Sequence, residues 1–397
     1  MPRRRTRIVL LWLCGVLAAA QFGKFSALVP VLSSRFDLDL PEAGLLVSLV
    51  EVGGASLGFV AGMALPMIGA RRALVSGLGL LAVTTVIETV TERTSILFAA
   101  RGLEGLGYLL VVVAAPTMIV AATMPGRRRD GAMVLWSTFV PVGSGLGSIV
   151  TGLVAGVLGA STAMLLWAFT ALAMIAAVAR YPGVEVGARR VPLPAPGAWL
   201  LSAGFGFYTL FLCAIVALMP AFLHDRHGVG LAAASAIAGM VAMSALPGSL
   251  LALAAIRVLT GQHRRLQPFF VTALVIATPL SSLIFRVGST LAAAVIAALT
   301  LLLAGIARAV IFTRVPALCG GTSPDDPRIA SAQGLLTQFG ALGAMAGPPI
   351  GAALVDRWSW PALGTGIAIL IAALLTMMLA AERAHRMHET SQMPVHS

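Results

Sequence analysis

Lys24, Glu51, Arg101 and Glu104 are ionisable residues that stand inside long apolar runs of this 397-residue sequence. Holding such a group in an apolar run costs several kcal/mol, which makes each a candidate for chemistry. Poor solvation favours the protonated form of a carboxylate, and a nearby cation favours the charged form. A carboxylate that alternately gains and loses a cationic partner therefore loads and releases a proton, and Glu51, Glu104, Arg101 and Lys24 are candidates for proton coupling on that ground. Two other readings stay open: a static salt-bridge cluster that fixes helix register, or capture of an anionic solute by Lys24 or Arg101. Lys24 is the only lysine of the chain. Gln21 stands one turn from Lys24 on the same helical face, and Tyr108 one turn from Glu104. With Tyr208 and Gln338, from the sparse polar inventory of the second half (Thr209, Gln333 and Thr337 are the others), they form the candidate substrate-binding set.

The elements that must position these residues follow from composition. The chain is 58% hydrophobic and only 11% charged, with a mean hydropathy of +0.95, whereas a soluble domain carries about 25% charge. A soluble globule and a disordered chain are both excluded. A membrane-crossing helix needs about 20 mostly apolar residues. Twelve candidate spans fit: 8–33, 43–65, 72–91, 95–121, 131–157, 161–181, 197–222, 230–256, 267–286, 289–313, 329–355 and 359–381. At about 1.5 Å per residue, Lys24 lies about 12–14 Å, Glu51 about 12 Å, Arg101 about 9 Å and Glu104 about 14 Å below the outer ends of their spans. They occupy one depth band, in which their charges cancel. Glu88 and Glu92 fall near the outer boundary and are expected to be solvated. Arg308 falls near the cytoplasmic end of span ten and is expected to snorkel to water, with a gate or substrate role as its alternative.

The formal charge of +12 would point to nucleic acid in a soluble protein. Placed on the twelve spans, it becomes an orientation signal instead: with the N-terminus inside, nineteen of the 27 Lys and Arg fall on the cytoplasmic side and five outside. Both termini are then cytoplasmic, in a bacterial-type inner membrane. A cleavable signal peptide at Met1–Ala20 is the lesser reading, because the apolar run continues to Pro30. Cys14, Cys213 and Cys319 are too scattered for a disulfide or zinc framework, and all six histidines lie outside the spans.

The expected fold is an all-α integral membrane protein, twelve transmembrane helices in two pseudo-symmetric six-helix bundles. Residues 1–181 form the N-terminal bundle, 182–196 a Pro- and Arg-bearing cytoplasmic linker, 197–382 the C-terminal bundle and 383–397 a cytoplasmic tail. Ala27-Leu28-Val29-Pro30 and Ala217-Leu218-Met219-Pro220, ending spans one and seven, carry the weak internal symmetry. Small residues let helices approach in lipid, and glycines recur every four residues at Gly54, Gly58 and Gly62, at Gly143 and Gly147, at Gly152 and Gly156, and at Gly343, Gly347 and Gly351. Pro141, Pro247 and Pro348 add helix distortions.

Topology and three motifs resemble the major facilitator superfamily over the whole length. Arg101-Gly102-Leu103-Glu104-Gly105 is similar to its R-x-x-Q-G motif, with Glu104 in place of Gln; the resemblance links Arg101 to proton coupling. Gly62 with Gly69-Ala70-Arg71-Arg72 is similar to its G-x-L-A-D-R-x-G-R-R signature, with Pro66 where Asp is expected. The antiporter-type G-x-x-x-G-P-x-x-G-G is degraded around Pro141 and cleaner at Gly343–Gly351, around Gly347 and Pro348. The resemblance implies alternating access around a central cavity, with Gly62, Arg71, Arg72, Pro141, Gly347 and Pro348 serving the conformational change. The expected function is proton-coupled export of a small organic molecule of drug, metabolite or siderophore type, an antiporter. The alternative is import of a small anionic solute with Lys24 and Arg101 as binding cations. The expected partners are that solute, protons and membrane lipids, with no nucleic acid, cofactor or metal, in a monomeric chain that is not an enzyme.

Overall fold

A computed structural model describes residues 2–38, 40–180, 192–258, 263–320 and 326–392. Most of the expected linker, including Arg189 and Arg190, the turn at Gly261-Gln262, Ser323-Pro324-Asp325 and the end of the tail lie outside the described residues. Fifteen helices and no strand occur among the described residues. They are α1 (Pro2–Phe36), α2 (Leu40–Ser48), α3 (Val50–Ile68), α4 (Ala70–Val90), α5 (Thr94–Ala121), α6 (Arg127–Ser137), α7 (Phe139–Leu158), α8 (Ala160–Ala179), α9 (Pro196–His227), α10 (Leu231–Met243), α11 (Ala245–Val258), α12 (His263–Leu283), α13 (Thr290–Leu318), α14 (Pro327–Arg357) and α15 (Trp360–Gln392). An all-helical build is one that lipid allows, because helices satisfy their own backbone groups. Eleven helical runs are long and apolar enough to cross a membrane; the expected span at 267–286 falls on the shorter apolar helix Gln267–Leu283.

The chain divides into two compact units. The first holds Met1–Met124, Thr138–Leu193 and Thr322–Gln338, and the second Pro125–Ser137, Pro194–Gly321 and Phe339–Ser397. In the first, α1 packs along α7, and α4 along α5 and α8. In the second, α9 packs along α15, and α13 along α11 and α12. Val60, Leu153, Val157 and Phe169 in the first unit, and Leu291 and Ile369 in the second, turn outward and exposed. Exposed apolar faces of this extent suit lipid as the surrounding solvent.

Three spans are interrupted by a single non-helical residue. Leu49 separates α2 from α3, Thr138 separates α6 from α7, and Ser244 separates α10 from α11. Two of the breaks share a cause. Pro141 and Pro247 each stand three residues after the break, and a proline ring has no N–H and collides with the carbonyl four residues back, here Ser137 and Met243. Pro348 and Pro349, in contrast, lie within an unbroken α14. The Leu49 break has no proline and is held by a side chain of the candidate site.

Glycines decide where helices touch through backbone. In the first unit a Cβ on Gly62 would meet Ala330 O and Gly334, and one on Gly147 would overlap Ala20. In the second unit Gly347 stands against Leu210 O. The expected glycine pair Gly152 and Gly156 differs, since both face open space. Their spacing matched, but they sit on the exposed flank of α7.

Candidate functional site

The site lies in the first unit and is built from α1, α4 and α5. Lys24 of α1 is fully buried, and its Nζ donates to Thr85 Oγ1 at 2.9 Å, Glu88 Oε2 at 3.0 Å and Glu104 Oε1 at 2.9 Å. An ammonium has three protons, so Lys24 is saturated. Thr85 passes its own hydroxyl proton to Glu104 Oε1 at 3.3 Å, and Arg101 holds Glu104 Oε2. Both oxygens of Glu104 are thus engaged, whereas Glu88 Oε1 is buried with no hydrogen-bond partner. Phe25 packs against both cations, its ring centroid 4.9 Å from Lys24 Nζ and 4.0 Å from the Arg101 guanidinium carbon. Two cations and two carboxylates, all fully buried, balance here, an arrangement in which removing one member strands a buried charge.

Arg101 also explains the break in span two. The last carbonyls of a helix have no in-helix donor. Arg101 Nε donates to Leu46 O at 3.0 Å and its Nη2 to Val47 O at 3.1 Å, capping the end of α2 from the side. Glu51 follows the break, in the first turn of α3, where the positive helix end favours a carboxylate. Glu51 is half-buried, lies within electrostatic range of Arg101 and Tyr108, and enters no ion pair among the described residues. One guanidinium therefore touches the carboxylate cluster, the break and the neighbourhood of Glu51.

The structure brings Lys24, Arg101 and Glu104 into contact and leaves Glu51 beside them. It corrects two expectations. Glu88 is not solvated: it is fully buried and ion-paired to Lys24. Its place near a span end misled, but Thr85, Glu88 and Thr89 mark one polar stripe at helical spacing in the mostly apolar later half of α4, a signal present in the sequence. Arg308 does not snorkel. α13 runs on to Leu318, so Arg308 sits about 15 Å from that end, is 5% exposed and donates to Ser249 Oγ at 3.0 Å.

The remaining candidates have partners of their own or none among the described residues. Gln21 is buried near the cluster; its Nε2 donates to Leu17 O of its own helix at 3.2 Å and its Oε1 has no partner. Tyr108 is buried on α5. Gln338 Oε1 accepts the Phe59 N–H at 2.9 Å, tying the early part of α14 to α3. Arg71 donates to Ala179 O at 2.8 Å and caps the end of α8; Arg72 is exposed at the start of α4. Tyr208 belongs to the second unit, buried with its hydroxyl unpartnered.

The family profile described as Major Facilitator Superfamily matches residues 11–313. Among curated proteins, the cephamycin export protein CmcT of Amycolatopsis lactamdurans is 28% identical over 185 residues, 45% of this chain and 37% of that protein. The methylenomycin A resistance protein of Streptomyces coelicolor is 26% identical over 172 residues, 43% of this chain and 36% of that protein. The matched stretches span little more than a third of those relatives. Among solved structures, the human organic anion transporter MFSD10 (TETRAN) superposes with a TM-score of 0.74 at 16% identity, over 95% of this chain and all of that one. The proton:xylose symporter XylE gives 0.75 at 13% identity, over 95% and 96%. At such identities the likeness is one of fold.

Proposed function

The chain belongs to the Major Facilitator Superfamily, a family of multi-pass membrane transporters, and from that premise we propose that it is a proton-coupled exporter of a small organic molecule working by alternating access. We place it in a bacterial cytoplasmic membrane with twelve spans and both termini inside. The observation that carries the coupling is the buried group of Lys24, Glu88, Glu104 and Arg101, balanced in charge and cut off from water. An arriving proton finds an unbonded oxygen on Glu88 and an unpaired carboxylate at Glu51, while Glu104 is fully held. Protonating Glu88 at that oxygen weakens its bond to Lys24 to an uncharged one and leaves the cluster with a net positive charge. That charge bears on Glu104 and so on Arg101, whose grip on Leu46 O and Val47 O holds the break in span two. Proton arrival is thereby coupled to the backbone of a span, and the close Gly62–Gly334 contact on the same helix is where we place the movement.

Export is favoured over import by two curated relatives, one an export protein and one a resistance protein. The anion-import alternative asks Lys24 and Arg101 to offer donors to a solute. Every proton of Lys24 is already committed inside the protein, which argues for tuning rather than capture.

The test is transport in proteoliposomes under an imposed pH gradient, screened first against antibiotics and other amphipathic solutes. E88Q, E104Q and E51Q are then compared on the exported hit. The proposal expects at least about a tenfold loss of gradient-driven transport in E88Q and E104Q, with exchange of solute down its own gradient retained. Intact gradient-driven transport in all three variants would overturn it.

A further inference from the structure

The second unit contains a buried cation that no described residue neutralises. Arg308 sits on α13 with 5% exposure. One of its five N–H donors is used, by Ser249 Oγ of α11 at 3.0 Å, and its buried Nε has no partner. No carboxylate pairs with it among the described residues. The contrast with Arg101 is direct: that guanidinium is fully buried but meets a glutamate and two carbonyls. A buried charge without a counter-ion is costly, which marks Arg308 as a candidate for binding.

What surrounds Arg308 names the ligand's other features. Its guanidinium carbon lies 6.0 Å from the Tyr208 ring of α9. The Tyr208 hydroxyl, a donor, is buried without a partner. Phe205 stacks on Tyr208 with centroids 5.8 Å apart and meets Phe312 edge-on at 5.3 Å. Tyr208 meets Phe211 edge-on at 5.4 Å. Phe312 follows Arg308 by one turn of α13. Ser249 is itself fixed, reaching the Gly305 and Ala245 carbonyls at 3.3 Å each, so it orients the guanidinium without neutralising it. A planar cation with free donors, a spare phenolic proton and an aromatic wall suit a carboxylate carried on a flat apolar body.

We propose that Arg308, with Tyr208, is the binding site for the carboxylate of an aromatic organic anion, the substrate class of this transporter. The inference rests on reading the chain as a carrier of organic solutes, and it is independent of the proton cluster in the first unit.

The experiment is equilibrium binding to the purified full-length protein in detergent, with no gradient. The probes are benzoate and 2-naphthoate, each against its neutral amide and against sodium chloride. Saturable binding of the carboxylates is expected, tighter for 2-naphthoate, with the amides at least about tenfold weaker. R308Q should weaken carboxylate binding about tenfold to a hundredfold, the effect of losing a charge-assisted hydrogen bond. Y208F should cost about threefold to tenfold and leave amide binding unchanged. If R308Q does not fold, R308K and Y208F decide, each expected to weaken the carboxylates selectively. Carboxylate binding that is absent, unchanged in these variants, matched by the amides, or displaced by equimolar chloride would overturn the proposal. A carrier that passes this test but fails the E88Q and E104Q comparison keeps the anion site and loses the coupling mechanism; the reverse pair of outcomes does the opposite.

Discussion

Lys24 divides its three protons among Thr85, Glu88 and Glu104, and that division sets what its loss should do. Replacing it with methionine leaves two carboxylates against one cation in a dry site, a cost of about 3–5 kcal/mol for a broken buried pair. K24M should therefore lower the apparent Tm in detergent markedly. Adding E88Q removes the excess charge and leaves Arg101 paired with Glu104, so K24M/E88Q should recover most of that loss. No recovery in the double variant would mean that packing, not charge balance, is what Lys24 supplies. The three residues read most directly from sequence, Lys24, Arg101 and Glu104, were legible because span ends fix depth and because Arg101 and Glu104 are three apart on one helix. Glu88 was not, since depth alone cannot tell a side chain turned inward from one turned to the boundary. The stripe of Thr85, Glu88 and Thr89 carried that information. Arg308 escaped for a related reason: the end of α13 was placed at 313, whereas the helix continues to Leu318.

Helices in lipid gain no hydrophobic drive from touching, so their contacts follow where small residues allow backbones to meet. The glycine rows show both the reach and the limit of that rule. Gly62 lies against Ala330 and Gly334, and Gly147 against Ala20, while Gly152 and Gly156, with the same spacing, face open space. A period identifies a stripe but not what lies opposite it. G62L should cut transport by about tenfold or more with the protein still inserted, and G156L should stay within about twofold of the parent. Equal effects of the two in the same transport assay would remove the special role of the Gly62 contact. The prolines were legible as distortions, and Pro141 and Pro247 each sit three residues past a break. The third break, at Leu49, has no local sequence cause, because its carbonyls are satisfied by Arg101 from another helix. R101K, which keeps the charge but loses the fork, should impair coupling while Lys24–Glu104 pairing persists; wild-type coupling in R101K would separate the break from the mechanism.

Across the whole chain, the asymmetry of arginine between the two sides of the spans predicts orientation, and it does so from composition rather than contacts. In a variant with Cys14, Cys213 and Cys319 replaced, a cysteine at Arg128 should react with an impermeant thiol reagent only from the cytoplasmic side, and one at Asp225 only from outside. Labelling of both from one side would break the twelve-span reading. Helical class and membrane insertion were plain from hydropathy. The early part of α14 groups with the first unit and α6 with the second, an exchange of segments that no linker or repeat announces. The central claim remains that carboxylates around Lys24 take up and release the coupling proton. The most direct test is infrared titration of the protonated-carboxyl stretch in the reconstituted protein, comparing the parent with E88Q, E51Q and the exposed control E92Q. The account predicts a titrating signal that E88Q diminishes, that E51Q diminishes further when combined with it, and that E92Q leaves in place. A signal absent from the parent, or unchanged in E88Q and E51Q, would contradict it.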